Sequence, residues 1–95
     1  MKKIKVLVAD DEPLARERLS GLLSQEPDIE VVGQARDGEE AVTAIHDDSP
    51  DLVFLDVQMP QMSGFDVIEA VGSDKMPEWK PGNEFRATRE KMLAR

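Results

Sequence analysis

A chain of 95 residues is one domain at most, and its 40% apolar share, with charges dispersed along its length, is that of a soluble globular protein. The formal charge of −8 excludes the basic face on which a general nucleic-acid binder relies, and no apolar run approaches the roughly 18 residues of a membrane span. With no cysteine and a single histidine, any metal site must be built from oxygen. The start, Met1-Lys2-Lys3, runs directly into a strand-like stretch carrying Lys5 and lacks the apolar stretch of a signal peptide, so a cytoplasmic location is expected.

Ile4 to Ala9 (IKVLVA) is mostly β-branched or apolar and stops at an acidic pair, which predicts a first strand buried on both faces of a parallel sheet. After Asp10, Asp11 and Glu12, Pro13 opens an amphipathic helix with Ala15, Leu19, Leu22 and Leu23 on one face, ending near Gln25. Glu26-Pro27-Asp28 breaks the chain ahead of a second strand, Glu30 to Ala35, weakened by Gly33. Asp37-Gly38 turns into a second helix, to about Asp47, with Ala41, Ala44 and Ile45 on its apolar face and Glu39-Glu40 at the positive end of its dipole. Ser49-Pro50 closes it. Asp51 to Leu55 (DLVFL) is too short for a helix and predicts a third strand delivering Asp56 at its end. Met59-Pro60 and Gly64 shape the loop that follows, Gly64 being a position where another backbone could approach closely. Ser63 is the N-cap of a third helix through Phe65, Val67, Ile68 and Val71, and Gly72 ends it. Strands alternating with helices over short loops specify a parallel sheet, which binds ligands at the carboxyl ends of its strands. Those ends carry Asp10, Asp11 and Asp56.

If the first and third strands are neighbours, about 4.8 Å apart, the three carboxylates converge. Two like charges about 5 Å apart repel by roughly 3 kcal/mol at an effective dielectric near 20, so the cluster must protonate, be solvated or hold a cation. A hard divalent ion such as Mg²⁺, which takes one or two carboxylates and several waters, suits a strand-end site made of oxygen. The competing reading for Asp11 alone is a helix cap, through the amides near Leu14. His46, on the second helix and away from the strand ends, reads as an ordinary surface or boundary residue.

Residues 1–77 hold 7 Lys and Arg against 17 Asp and Glu, while residues 78–95 hold 5 against 3, so the character of the chain changes near Pro77. Glu78-Trp79-Lys80-Pro81-Gly82-Asn83 contains no apolar run, and Asn83 to Arg95 has helical composition with Phe85, Met92 and Leu93 as anchors. The division expected is therefore 1–77, and a basic, helical 78–95.

The runs Val6-Leu7-Val8-Ala9-Asp10-Asp11-Glu12-Pro13, Asp51-Leu52-Val53-Phe54-Leu55-Asp56-Val57-Gln58-Met59-Pro60 and Met62-Ser63-Gly64-Phe65-Asp66 resemble the response-regulator receiver family, over residues 4–77 and in order. Asp10 to Arg16 (DDEPLAR) is similar to regulators with a LytTR-type output domain. The resemblance implies an α/β, flavodoxin-like (CheY-like) three-layer fold, here truncated to βαβαβα with strand order 2-1-3 plus a C-terminal helix. It implies a phosphorelay receiver, no enzyme on a small substrate, that takes a phosphoryl group from a sensor histidine kinase onto Asp56. Mg²⁺ would be held by Asp11, Asp56 and the backbone carbonyl of Gln58, with Asp10 acting through a water.

Where receivers continue into a fourth strand, this sequence departs from the family. Lys80-Pro81 resembles the Lys-Pro that closes the fifth receiver strand, as though an internal segment were missing; Lys80 would then contact the phosphoryl group. The alternative is a chance Lys-Pro in an unrelated tail. With nothing beyond it, the third strand would be an open edge, a template for a homodimer, and phosphorylation would lack its usual reporter. Two other functions stand beside the leading one: a fragment that binds kinase or regulator without accepting phosphoryl, and an aspartyl phosphohydrolase, which the absence of a second acid two residues after Asp56 disfavours.

Overall fold

A computed structural model describes residues 3–59 and 61–81. Strands and helices alternate in the order β1 (Ile4–Ala9), α1 (Pro13–Ser24), β2 (Ile29–Ala35), α2 (Gly38–Asp48), β3 (Leu52–Leu55), α3 (Gly64–Val71) and β4 (Glu78–Pro81). All strand pairs are parallel, and the sheet runs β2-β1-β3-β4. In register, Val6 to Ala9 lie opposite Leu52 to Leu55, which brings the carboxyl ends of β1 and β3 level.

The period of two along these strands divides the core between the faces of the sheet. Leu7, Ala9, Val53 and Leu55 pack with Ala41 and Ile45 of α2 and Val67 of α3. Val6, Val8, Leu52 and Phe54 pack with Leu23 of α1 and with Ile29. Strands apolar at every position from Val6 to Ala9 and from Leu52 to Leu55 are thus buried on both sides, as expected of a parallel sheet between helices.

Local chemistry sets the helix ends. Asp37 caps α2 by accepting the Glu40 amide at 2.8 Å, while Glu40 accepts the Arg36 amide at 3.0 Å. Ser63 and Asp66 form a reciprocal capping box on α3, with bonds of 3.2 and 2.9 Å. Gly72, at φ +97°, ends α3 in a conformation that a side chain would strain. α1 differs: Pro13 starts it, but its N-cap Glu12 makes no side-chain cap bond, so Asp11 is not a helix cap.

The expected truncation at three strands is corrected. Glu78 to Pro81 forms a fourth strand whose residues lie opposite Leu52 to Leu55, so the strand order is 2-1-3-4 and not 2-1-3. β3 is consequently paired on both sides, and the homodimer expected through its open edge has no such edge to form on. The physical reason is docking of one side chain: Trp79 packs against the α2/α3 face of the core, and its ring meets Phe65 edge-on, centroids 6.2 Å apart at 90°. The helix expected over 83–95 lies outside the described residues.

Candidate functional site

The ladders of the sheet run one step past the strand ends, and that step places the acids. The Asp10 amide donates to the Ala35 carbonyl at 3.0 Å and the Asp56 amide to the Ala9 carbonyl at 2.9 Å. One carboxylate oxygen from each of Asp10, Asp11 and Asp56 lies within 4.8 Å of the others. Asp10 and Asp56 are half-buried and Asp11 is exposed, so the cluster opens to solvent.

Each strand-end acid also closes its own turn. Asp10 Oδ1 accepts the Glu12 amide and Asp56 Oδ1 the Gln58 amide, both at 2.9 Å, which fixes both carboxylates against rotation. The second bond brings the Val57–Gln58 peptide against the Asp56 carboxylate. Behind Asp56 stands Gly64: a Cβ there would lie 2.9 Å from the Asp56 carbonyl oxygen and 3.0 Å from Val57 Cα. Only glycine lets the start of α3 press this closely on the loop that carries Asp56. Met62, in the same loop, fills the space against which Gly38 opens α2.

The electrostatics record crowding. Burial pushes the Asp10 carboxyl up, the Glu12 amide opposes it, and the like charges of Asp56 and Asp11 raise it further. Asp11 is also raised, first by loss of solvent, then by the hydrogen bond and repulsion it shares with Asp56. Such a cluster favours either protons or a cation. Its donors are all hard oxygens, and their spacing suits a small divalent ion.

The other residues singled out on the sequence lie elsewhere or make no direct bond to the triad. Lys80 is half-buried opposite Phe54 in β4, and no ion pair between it and Asp56 occurs among the described residues. His46 is exposed on α2, its Nδ1 3.2 Å from Asp47 Oδ1. One residue escaped sequence reasoning: Arg16, whose Nη1 donates to the Asp10 carbonyl at 2.7 Å. Its signal was a cation one turn into the helix that follows an acidic pair.

A family model described as "Response regulator receiver domain" matches residues 6–80. The chain belongs to the response-regulator receiver family. This receiver is 47% identical, over 74 residues, to the transcriptional regulatory protein BtsR of Salmonella typhi, an alignment covering 78% of this chain and 31% of that protein. BtsR is a LytTR-type regulator, the kind of protein to which the likeness of residues 10–16 points. Among solved structures, the response regulator domain of Thermotoga maritima CheB matches with a TM-score of 0.74 at 35% identity, covering 81% of this chain and 57% of that one. The REC domain of AraT, a response regulator from Geobacillus stearothermophilus, matches with a TM-score of 0.71 at 32% identity, covering 96% and 74%. The receiver thus spans about a third of the length of the curated relatives it matches. Its acidic triad is of the kind typical of a receiver Mg²⁺ site. No helix among the described residues is long and apolar enough to cross a membrane.

Proposed function

We propose that this receiver, a cytoplasmic protein, accepts a phosphoryl group on Asp56 from the phosphohistidine of a sensor histidine kinase, with Mg²⁺ bound at the triad. The observation that carries the reading is the convergence of Asp10, Asp11 and Asp56 within 4.8 Å at the ends of two adjacent strands. Asp11, Asp56 and the Gln58 carbonyl would hold the ion, with Asp10 acting through a water. When bound, the ion supplies positive charge that offsets the carboxylates and the oxygens of the transferring group.

The chain's own residues supply position. The Gln58 amide orients the Asp56 carboxylate, leaving it able to attack in line. An Asp56 carboxylate oxygen forms a bond to phosphorus as the phosphorus–nitrogen bond of the phosphohistidine breaks, and the electron pair of that bond returns to the imidazole. Asp10 and Asp11 stay carboxylates throughout.

Lys80 would supply a second positive charge beside that of the ion. Side chains at paired positions of parallel strands share a face, so Lys80 stands with Phe54 on the face to which Asp56, two residues further, also belongs. From there its amine reaches toward a phosphoryl group on Asp56 by rotation of its stem. The basic 78–95 segment would then be part of the receiver through its first four residues, and a regulatory output would reside in the longer proteins to which this chain is similar.

Intact-protein mass spectrometry after incubation with acetyl phosphate tests the assignment. The expected result is a single Mg²⁺-dependent, hydroxylamine-sensitive phosphoryl adduct that Asp56→Asn abolishes and Lys80→Ala weakens. No adduct on a folded sample, together with retained binding to a histidine kinase, would favour instead a fragment that binds partners without phosphoryl transfer.

A further inference from the structure

Arg16 stands beside the acid cluster without joining it. Among the described residues arginine pairs with a carboxylate only at Arg36 and Glu40, so the Arg16 guanidinium meets none of the three carboxylates of the triad. It donates instead to the backbone carbonyl of Asp10, in a part-buried bond of 2.7 Å. That carbonyl has left the sheet: the Asp10 amide still bonds to Ala35, but β2 ends there and turns toward α2, leaving no strand to receive the next bond. A charged donor on a carbonyl makes a stronger bond than a neutral amide would.

The acceptor matters because of what it is joined to. The carbonyl of Asp10 and the amide of Asp11 form one rigid, planar peptide unit, so fixing the first fixes the base from which the Asp11 carboxylate projects. α1 has no side-chain cap to anchor its start. The loop is held to the helix by the Glu12 amide on Asp10 Oδ1, the Arg16 amide on the Glu12 carbonyl and the Arg16 side chain on the Asp10 carbonyl. An arginine that paired with a carboxylate of the triad would compete with a cation; one tied to the carbonyl does not.

We propose that Arg16 is a positioning residue for the cation site: anchored on the Asp10 carbonyl, it holds the Asp11 carboxylate level with that of Asp56 and keeps its own charge off the ligands. This rests on the Mg²⁺ reading above. It concerns a residue that touches neither the ion nor the transferred group, and groups that orient a ligand in this way change metal affinity by about 10- to 100-fold when removed.

The test titrates Mg²⁺ into wild type, Arg16→Gln, Arg16→Lys and, as a control for helix charge, the exposed Arg18→Gln, followed by amide NMR and by thermal melting. Arg16→Gln is expected to weaken Mg²⁺ about ten-fold and to shift the Asp11 amide resonance in the metal-free protein. Arg16→Lys, which keeps a cationic donor, should lose less, and Arg18→Gln nothing. Wild-type affinity in a folded Arg16→Gln, with the Asp11 amide unmoved, would overturn the inference and leave the Mg²⁺ reading intact. Wild type that binds no Mg²⁺ would overturn that reading and the inference together. If Arg16→Gln does not fold, Arg16→Met, which keeps the apolar stem without the donor, decides: weaker Mg²⁺ binding supports the positioning role, and wild-type affinity overturns it.

Discussion

β3 and β4 lie side by side, four residues each, in one parallel sheet, yet they are strands for different reasons. Leu52-Val53-Phe54-Leu55 is apolar throughout and buried at every position, whereas Glu78-Trp79-Lys80-Pro81 is exposed at Glu78 and half-buried at the rest. β3 is a strand by composition. β4 is one by partnership: it takes its conformation from pairing with β3 and from a tryptophan seated on the core. Strand propensity is a statement about fit to neighbours, and here the neighbour decides.

The largest effect that can sharpen this contrast is loss of core. Phe54 is 1% exposed, so Phe54→Ala should cost about 3–5 kcal/mol in urea unfolding. That is a large share of the stability of a domain this size, about 5–14 kcal/mol. Trp79→Ala, removing a half-exposed ring, should cost about 2 kcal/mol. Equal losses would make β4 as integral to the core as β3.

Next comes Gly64→Ala, whose methyl group would press on the Asp56 carbonyl. A loss of about 1–3 kcal/mol is expected, together with slower labelling by acetyl phosphate, since the strain falls on the loop that bears Asp56. Labelling at the wild-type rate would show that this loop yields without moving the carboxylate.

The acid cluster gives a smaller, pH-dependent effect. Because Asp10 and Asp11 are raised, the folded metal-free protein holds protons that the unfolded chain has already released. Their contribution to stability is therefore present at acid pH and lost as the pH rises from the ordinary aspartate range through the raised values. Asp11→Asn should flatten this decline. Mg²⁺ at ten times its dissociation constant should add about 1.4 kcal/mol to wild type, a rise of several degrees in Tm that Asp11→Asn removes. A Tm of wild type indifferent to both pH and Mg²⁺ would count against a strained acid cluster.

Most of the fold was legible because its elements are self-declaring. The strand runs at Ile4 to Ala9 and Leu52 to Leu55, the caps Asp37 and Ser63 and the stops at Ser49-Pro50 and Gly72 each act within a few residues, and the structure follows them. The acids converge because the two runs are neighbours and end in register, an alignment neither run declares by itself. β4 was not legible: a charged residue, a lysine and a proline beside one tryptophan carry no periodic signal, and the contact with Phe65 that seats Trp79 spans distant segments. The bond from Arg16 to Asp10 was equally hidden, because it depends on where a carbonyl leaves the sheet. Gly64 was half legible, readable as a place for close approach though not as the support of Asp56 itself.

The smallest effect serves as a control far from the contrast. Asp37→Ala removes the cap of α2 and should cost about 1 kcal/mol without changing Mg²⁺ affinity. A change in affinity would couple the start of α2 to the site, through Met62 packed against Gly38.

Among the described residues, the two outer strands of the sheet bear on how the protein behaves in a crowded solution. In β2, Val31 pairs with Val6 and Gly33 with Leu7, so Val32 is an extra residue that bulges the strand. At the other side β4 is short and ends in Pro81, which has no amide hydrogen to offer a further strand. Neither edge presents a long, flat ladder to another sheet, and both carry devices by which natural sheets discourage edge-to-edge growth. A sheet built on strands as greasy as β1 and β3 is in this way screened from stray sheets on both sides, by an irregularity on one and a missing hydrogen on the other.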